Sequence, residues 1–258
     1  MAGAGAVDGG QPEEQFRVKI IAALLIVIPA VVLAAGPCTI ERVNVAQLSY
    51  DLGGAISILE ACELEAPVKT NDHHRELVAR AALLVAELHR IDFEAMNTDD
   101  RSERRRLGTL IDDAADTGLE SIEALPETSE RLRLEADLLA TKIRSDFRAK
   151  KYGKKMKAAA ARALELDPSN ARAIVSQAKP FLFAETRHGG DLNEAIQLLG
   201  EALAIESALE SALLLRALAF DLLGETEASQ KDLRAALAAN PQCRPARERL
   251  HLGSAIEK

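Results

Sequence analysis

The adjacent pair His73-His74 is the first place along the chain where residue type suggests metal chemistry, and the spacing argues against it. Neighbours on a helix point about 100° apart, so these two cannot grip one ion as an i, i+4 pair would. His89 and His188 have no cysteine or carboxylate at a ligand spacing and read as surface or loop histidines. The three cysteines, Cys38, Cys62 and Cys243, lack the short spacing of a zinc site or a disulfide framework. In an exported chain Cys38 and Cys62 could pair, closing a loop worth about 3 kcal/mol, and two independent thiols are the equal alternative. Gly53-Gly54 and Gly189-Gly190 have neither the preceding strand nor the following Lys-Ser/Thr of a phosphate cradle and read as turns. No serine sits in a nucleophile elbow. The 40 acidic residues are spread along the chain, with no two paired at a defined spacing. Catalytic residues, a metal and a cofactor are therefore not expected.

Positive charge is densest at Arg148, Lys150, Lys151, Lys154, Lys155 and Lys157. This run reads as a solvated stretch across a hairpin bend, balanced by Glu135 and Asp137. Membrane headgroups or an acidic partner are its other uses. Nucleic acid is the least favoured, because only Phe147 and Tyr152 are near enough to stack on bases, and the whole chain carries a net charge of -8. Arg101 to Arg106 alternates with acidic residues and reads as a capped, solvated helix start.

The elements that must position these groups are helices. Aromatics make up 3% of the chain and Trp is absent, so a core has to be built from Ala, Leu, Ile and Val. Small and unbranched side chains favour close-packed helices over a sheet sandwich, which predicts an all-α chain. Residues 1–16 are small and polar, and read as a disordered cytoplasmic N-terminus. Arg17 and Lys19 then precede the apolar run IIAALLIVIPAVVLAA, within a segment 17–37 that reads as a signal peptide or membrane anchor helix. Its flanking charge directs the remainder across the membrane. Three fates stay open: a retained anchor, cleavage after the small residues Ala34-Ala35-Gly36, or lipidation at Cys38. The expected location is the bacterial inner membrane, single pass, with the C-terminal domain in the periplasm, or secreted or lipidated if the leader is processed.

The internal period is set by residues 156–170, MKAAAARALELDPSN, where an Ala-rich helical face ends at Asp167-Pro168 and Asn170 caps the next helix. The punctuation recurs at Ala236-Leu237 with Asn240-Pro241, and more faintly at Ala202-Leu203 and at Cys62 with Pro67. It yields units over 137–170, 171–209 and 210–243, close to a period of about 34 residues. Within them, Ala160, Ala163, Ala195, Ala202 and Ala236 supply small residues on the second helices. Phe147 is a large apolar residue expected to be buried near the end of a first helix, Phe220 is its match in the third unit, and Leu166 is expected to be buried as well. This pattern resembles the tetratricopeptide repeat (TPR). The resemblance implies stacked helical hairpins in a right-handed superhelix, with degenerate repeats over 38–128, clear repeats over 129–243 and a capping helix over 244–258. Gly53-Gly54 would form a turn, and Gly118 would interrupt a helix over 102–125.

The same resemblance implies a concave groove lined by first helices. Its positions carry over to Thr141, Lys142, Ser145 and Arg148 in the first clear repeat, Arg172, Val175, Ser176, Lys179 and Leu182 in the second, and Leu214, Leu218 and Asp221 in the third. Among these, the partner-binding side chains would be Lys142, Ser145, Arg148, Arg172, Lys179 and Asp221. The set does not reproduce the Lys and Asn clamp of chaperone-binding relatives. The expected function is a membrane-anchored, exported, non-catalytic adaptor for a protein or peptide. The Gly189-Gly190-Asp191 turn and the long loop after Pro180 also resemble periplasmic TPR components of TRAP-type solute transporters, which makes a transporter accessory the alternative.

Overall fold

A computed structural model describes residues 37–65, 71–96 and 100–256. Among these, eleven α-helices and one short 3-10 turn account for all regular structure, and there is no strand. The apolar run Ile20–Ala35 lies outside the described residues; among those described, no helix is long and apolar enough to cross a membrane.

The helices pair into five antiparallel hairpins: α1 (Ile40–Ser49) with α2 (Leu52–Glu65), α3 (Asp72–Ala95) with α4 (Arg101–Ile122), α5 (Ser129–Thr141) with α6 (Asp146–Leu166), α7 (Ala171–Phe183) with α8 (Leu192–Ile205), and α9 (Glu210–Leu223) with α10 (Thr226–Ala239). A last helix, α11 (Arg244–Ile256), packs on α10. Local chemistry explains the starts. Thr39, Asn71, Asp100, Thr128, Ser145, Asn170 and Asp191 each precede a helix, and each accepts a hydrogen bond from a first-turn N–H that would otherwise lack a partner.

The ends of the second helices repeat one geometry. Ala163, Ala202 and Ala236 are fully buried, and their carbonyls accept the N–H of Asp167, Glu206 and Asn240 respectively. In each case the residue three further on, Asn170, Leu209 or Cys243, donates back to that capping residue's carbonyl before the next helix begins. A side chain larger than methyl at these alanines would hold the helices apart, so the three small residues let successive hairpins stack. The core follows that stacking from Val43 through Ile111, Leu138 and Ala160 to Leu199 and Leu233, each layer resting on its neighbours.

Four expectations shift. The second helix of the third hairpin runs 21 residues, since nothing between Ser145 and Asp167 stops it. Phe147 therefore lies in its first turn at 77% exposure rather than buried at the end of a first helix, and Leu166 is exposed as well. The basic run does not cross a bend; it lies wholly inside α6. The turn near Gly53-Gly54 falls at Tyr50-Asp51, with Tyr50 left-handed (φ 54°), and both glycines belong to α2. Finally, α4 continues through Gly118, where an added Cβ would sit 2.7 Å from Leu138 Cδ2 and 3.2 Å from Ala82 Cβ. That glycine brings helices together rather than breaking one.

The stack curls until its ends meet. Asn240, at the end of α10, donates to the Leu48 carbonyl (3.0 Å) and to Glu210 Oε2 (2.7 Å), while Tyr50 packs against both the first core layer and the last. Arg244 of α11 reaches Asp92 of α3 at 2.6 Å. The hairpins thus form a closed ring. At its N-terminal edge, a disulfide joins Cys38 to Cys62, and His74 Nε2 bonds the Cys62 carbonyl (2.9 Å), fastening α2 to the start of α3.

Candidate groove at the centre of the ring

Curling the hairpins with their first helices inward leaves a cavity of about 1260 Å³. Helices α1, α3, α5, α7, α9 and α11 all contribute to its wall, as does one face of α6. Part of the wall is apolar: Ile91 on α3, Phe183 on α7, and Leu214, Leu215 and Leu218 on α9. Phe183 is 52% exposed although it points inward, and the Arg90 guanidinium lies 5.6 Å from its ring centre. Arg90 is itself fixed by Glu94 (2.7 Å) and by the Ala140 carbonyl (3.0 Å).

Beside this surface lies a buried charge cluster. Asp137 accepts from Ser176 Oγ and Lys179 Nζ at 2.6 Å each, and from Arg133 Nη1 at 2.8 Å. Arg133 also grips Glu130, which reaches Arg80 at 2.5 Å. Burial works to raise the Asp137 carboxyl pKa, but the Lys179 and Arg133 charges outweigh it and hold the group below the usual carboxylate range. Glu87, half-buried in the same wall, has no hydrogen-bond donor among the described residues. Burial pushes its carboxyl up, a shift that Lys179 only partly offsets and that Asp137 reinforces. His89 is buried, not on the surface, and burial pushes its imidazole down.

The residues singled out from sequence separate into three groups. Arg172, Lys179, Thr141, Leu214 and Leu218 line the groove. Lys142, Ser145, Arg148 and Asp221 are engaged elsewhere: Lys142 pairs with Asp116, Arg148 forks onto Asp112 at 2.8 and 2.7 Å, Ser145 caps α6, and Asp221 accepts from Arg249 at 2.6 Å. Ser176 lies behind the wall under Asp137, and Val175 and Leu182 are buried within the stack.

Sequence reasoning missed three of the four cations that are open. Lys150, Lys154 and Lys157 occur at i, i+4 and i+7 of α6, on one face that lines the groove, and Arg172 follows in the first turn of α7. All four are exposed and none forms an ion pair among the described residues, whereas Lys155, on another face, pairs with Glu135 at 3.2 Å. The signal was present in the helical spacing of the lysines, and was hidden by placing a bend among them. Among the described residues, no group of three His, Cys, Asp or Glu is arranged to hold a metal ion.

No family model and no curated relative matches the sequence. Solved structures do. A thermophilic TPR protein of Thermus thermophilus, TTC0263, superposes with a TM-score of 0.54 at 14% identity, over 84% of this chain and 98% of that one. YrrB, a TPR protein with an unusual peptide-binding site, gives a TM-score of 0.38 at 13% identity, over 83% of this chain and 91% of that one, a likeness that carries no argument. The first superposition, together with the repeated hairpin ends, identifies the fold as that of tetratricopeptide repeats.

Proposed function

We propose that this tetratricopeptide-repeat ring is a non-catalytic scaffold that holds a segment of a protein or peptide in its central groove. The observation that carries the reading is the groove itself: first helices from every hairpin converge on one cavity of about 1260 Å³, with apolar side chains and unpaired cations facing inward. That volume exceeds the range of about 300 to 1,000 Å³ usual for small-molecule sites, and suits a stretch of chain. The buried charges around Asp137 satisfy one another, as a rigid frame requires, with Arg133 and Lys179 both bound to the one carboxylate.

The reading includes export and membrane anchorage through the apolar run before Cys38. The Cys38–Cys62 disulfide supports it, because such bonds persist in oxidising compartments. Intact-mass measurement on protein extracted from membranes tests this: a retained anchor gives the full 27.8 kDa and processing lowers it, while a lipid on Cys38 would replace the disulfide and remove that support. A transporter accessory is the second reading, favoured by the loop after α7, whose Ala184, Glu185 and His188 line the groove.

The test of the groove is photocrosslinking of the full chain in its own cell, with the photoreactive residue at Leu214 inside the groove or at exposed Leu222, which is not among the groove-lining residues. A guest in the groove crosslinks from Leu214 and not from Leu222. A solute-binding protein in the Leu214 product selects the second reading, and equal products from both positions contradict groove binding.

A further inference from the structure

Building on the groove as a peptide site, we infer that its occupant is an acidic amphipathic helix of about three turns, carboxylates on one side and aliphatic residues on the other. Size comes first. A helix about 10 Å across, rising 1.5 Å per residue, fills the cavity of about 1260 Å³ with about ten residues. Charge comes second. Of the carboxylates in the wall, Glu94, Asp137, Glu185, Glu210 and Glu248 are each held by a cation or hydrogen-bond donor of the protein itself. Glu87 stands in the field of Lys179 and Arg90, Asp146 sits in the first turn of α6 where the helix dipole favours it, and Glu206 is exposed at the end of α8.

The cations divide the other way. Arg90, Lys179 and Arg249 are neutralised by Glu94, Asp137 and Asp221, while Lys150, Lys154, Lys157 and Arg172 are open. The three lysines span about 10 Å along α6, and their i, i+4, i+7 spacing matches glutamates at the same spacing on a helix laid alongside. The leucines of α9 and Phe183 meet the guest's aliphatic side, so the groove satisfies both faces of one amphipathic helix.

The experiment uses the full chain in detergent micelles and a fluorescein-labelled helical peptide of about ten residues, glutamate on one side and leucine on the other, read by fluorescence anisotropy. Analogues carry glutamine or lysine in place of every glutamate. The expected result is that the glutamate peptide binds and both analogues bind at least about tenfold more weakly. Replacing Lys150, Lys154 and Lys157 together with Glu reduces its affinity by a similar factor or more, whereas Lys151→Glu, off the groove wall, leaves it within about twofold. The analogue series on the unaltered protein keeps the test decisive even if the triple variant misfolds. Equal binding of the glutamine peptide, tighter binding of the lysine peptide, or an equal loss in Lys151→Glu overturns the acidic guest while leaving the groove a peptide site. Binding of none of the three peptides overturns the helical guest, while the groove reading is decided separately by the crosslink from Leu214 against Leu222.

Discussion

The phenol of Tyr50 donates a hydrogen bond to Glu210 Oε1, joining the first hairpin to the fifth across 160 positions of sequence. Tyr50 ends α1 in a left-handed conformation, where glycine would be free of strain and a larger residue costs about 1 kcal/mol or more. Its contacts offset that cost. The ring packs on both end layers of the core, the hydroxyl lies 3.5 Å from Cys243 Sγ, and burial together with Cys243 and Glu210 raises the phenol well above its usual pKa, so it stays a donor. An open superhelix needs no such residue; a ring does.

Tyr50→Phe keeps the packing and deletes the bond. Glu210 retains Asn240 as a donor, so the expected cost is about 1 to 2 kcal/mol. Hydrogen exchange should accelerate at both 40–50 and 240–250, which lie on opposite sides of the seam. Acceleration on one side alone would mean that the bond is not what holds the ends together.

The Cys38–Cys62 bond closes a loop of sequence separation 24 and should stabilise the protein by about 2 to 4 kcal/mol. Cys243 is buried and outside the bond, so comparing oxidised with reduced protein reports on Cys38–Cys62. A urea midpoint that does not move between reduced and oxidised protein would contradict a formed disulfide.

Residues that stop helices were readable directly, because Asp167-Pro168, Asn240-Pro241 and the alanines before them act within a few residues of themselves. Helix length was not. Counting back by a fixed period from Ala163 placed Phe147 in a buried position, whereas the unbroken Lys- and Ala-rich stretch extends α6 and exposes it. Leu199→Ala should therefore cost about 2 to 5 kcal/mol by opening a cavity, and Phe147→Ala less than about 0.5 kcal/mol. Thermal melts of the two variants check the reassignment, and comparable losses would restore the shorter helix.

The groove was legible as a location and not as a set of side chains. Arg172 and Lys179 line the cavity, but which cations remain open depends on partners far away in sequence, such as Asp112 for Arg148 and Asp116 for Lys142. Closure of the ring depends on Tyr50, Asn240 and Arg244 meeting residues more than a hundred positions away, and no repeat pattern encodes that.

The two carboxylates beside Lys179 should respond to pH with opposite signs. Asp137 is held below its unfolded value of about 3.9, so its contribution is present above that pH and is lost as pH falls through the folded pKa. Glu87 is raised, so the folded state holds its proton more tightly than the unfolded chain does, and stability declines as pH rises past the unfolded value of about 4.3. Asp137→Asn should then cost about 3 to 5 kcal/mol at neutral pH, since it leaves Lys179 facing a neutral group in a buried site and Arg133 with Glu130 alone. Glu87→Gln should do the reverse, raising the neutral-pH melting temperature and flattening its fall between acid and neutral pH. If Glu87→Gln melts lower than the parent at pH 7, the charged form of Glu87 is bound by a donor in the wall, and the carboxylate belongs to the frame of the ring rather than to the open surface of the groove.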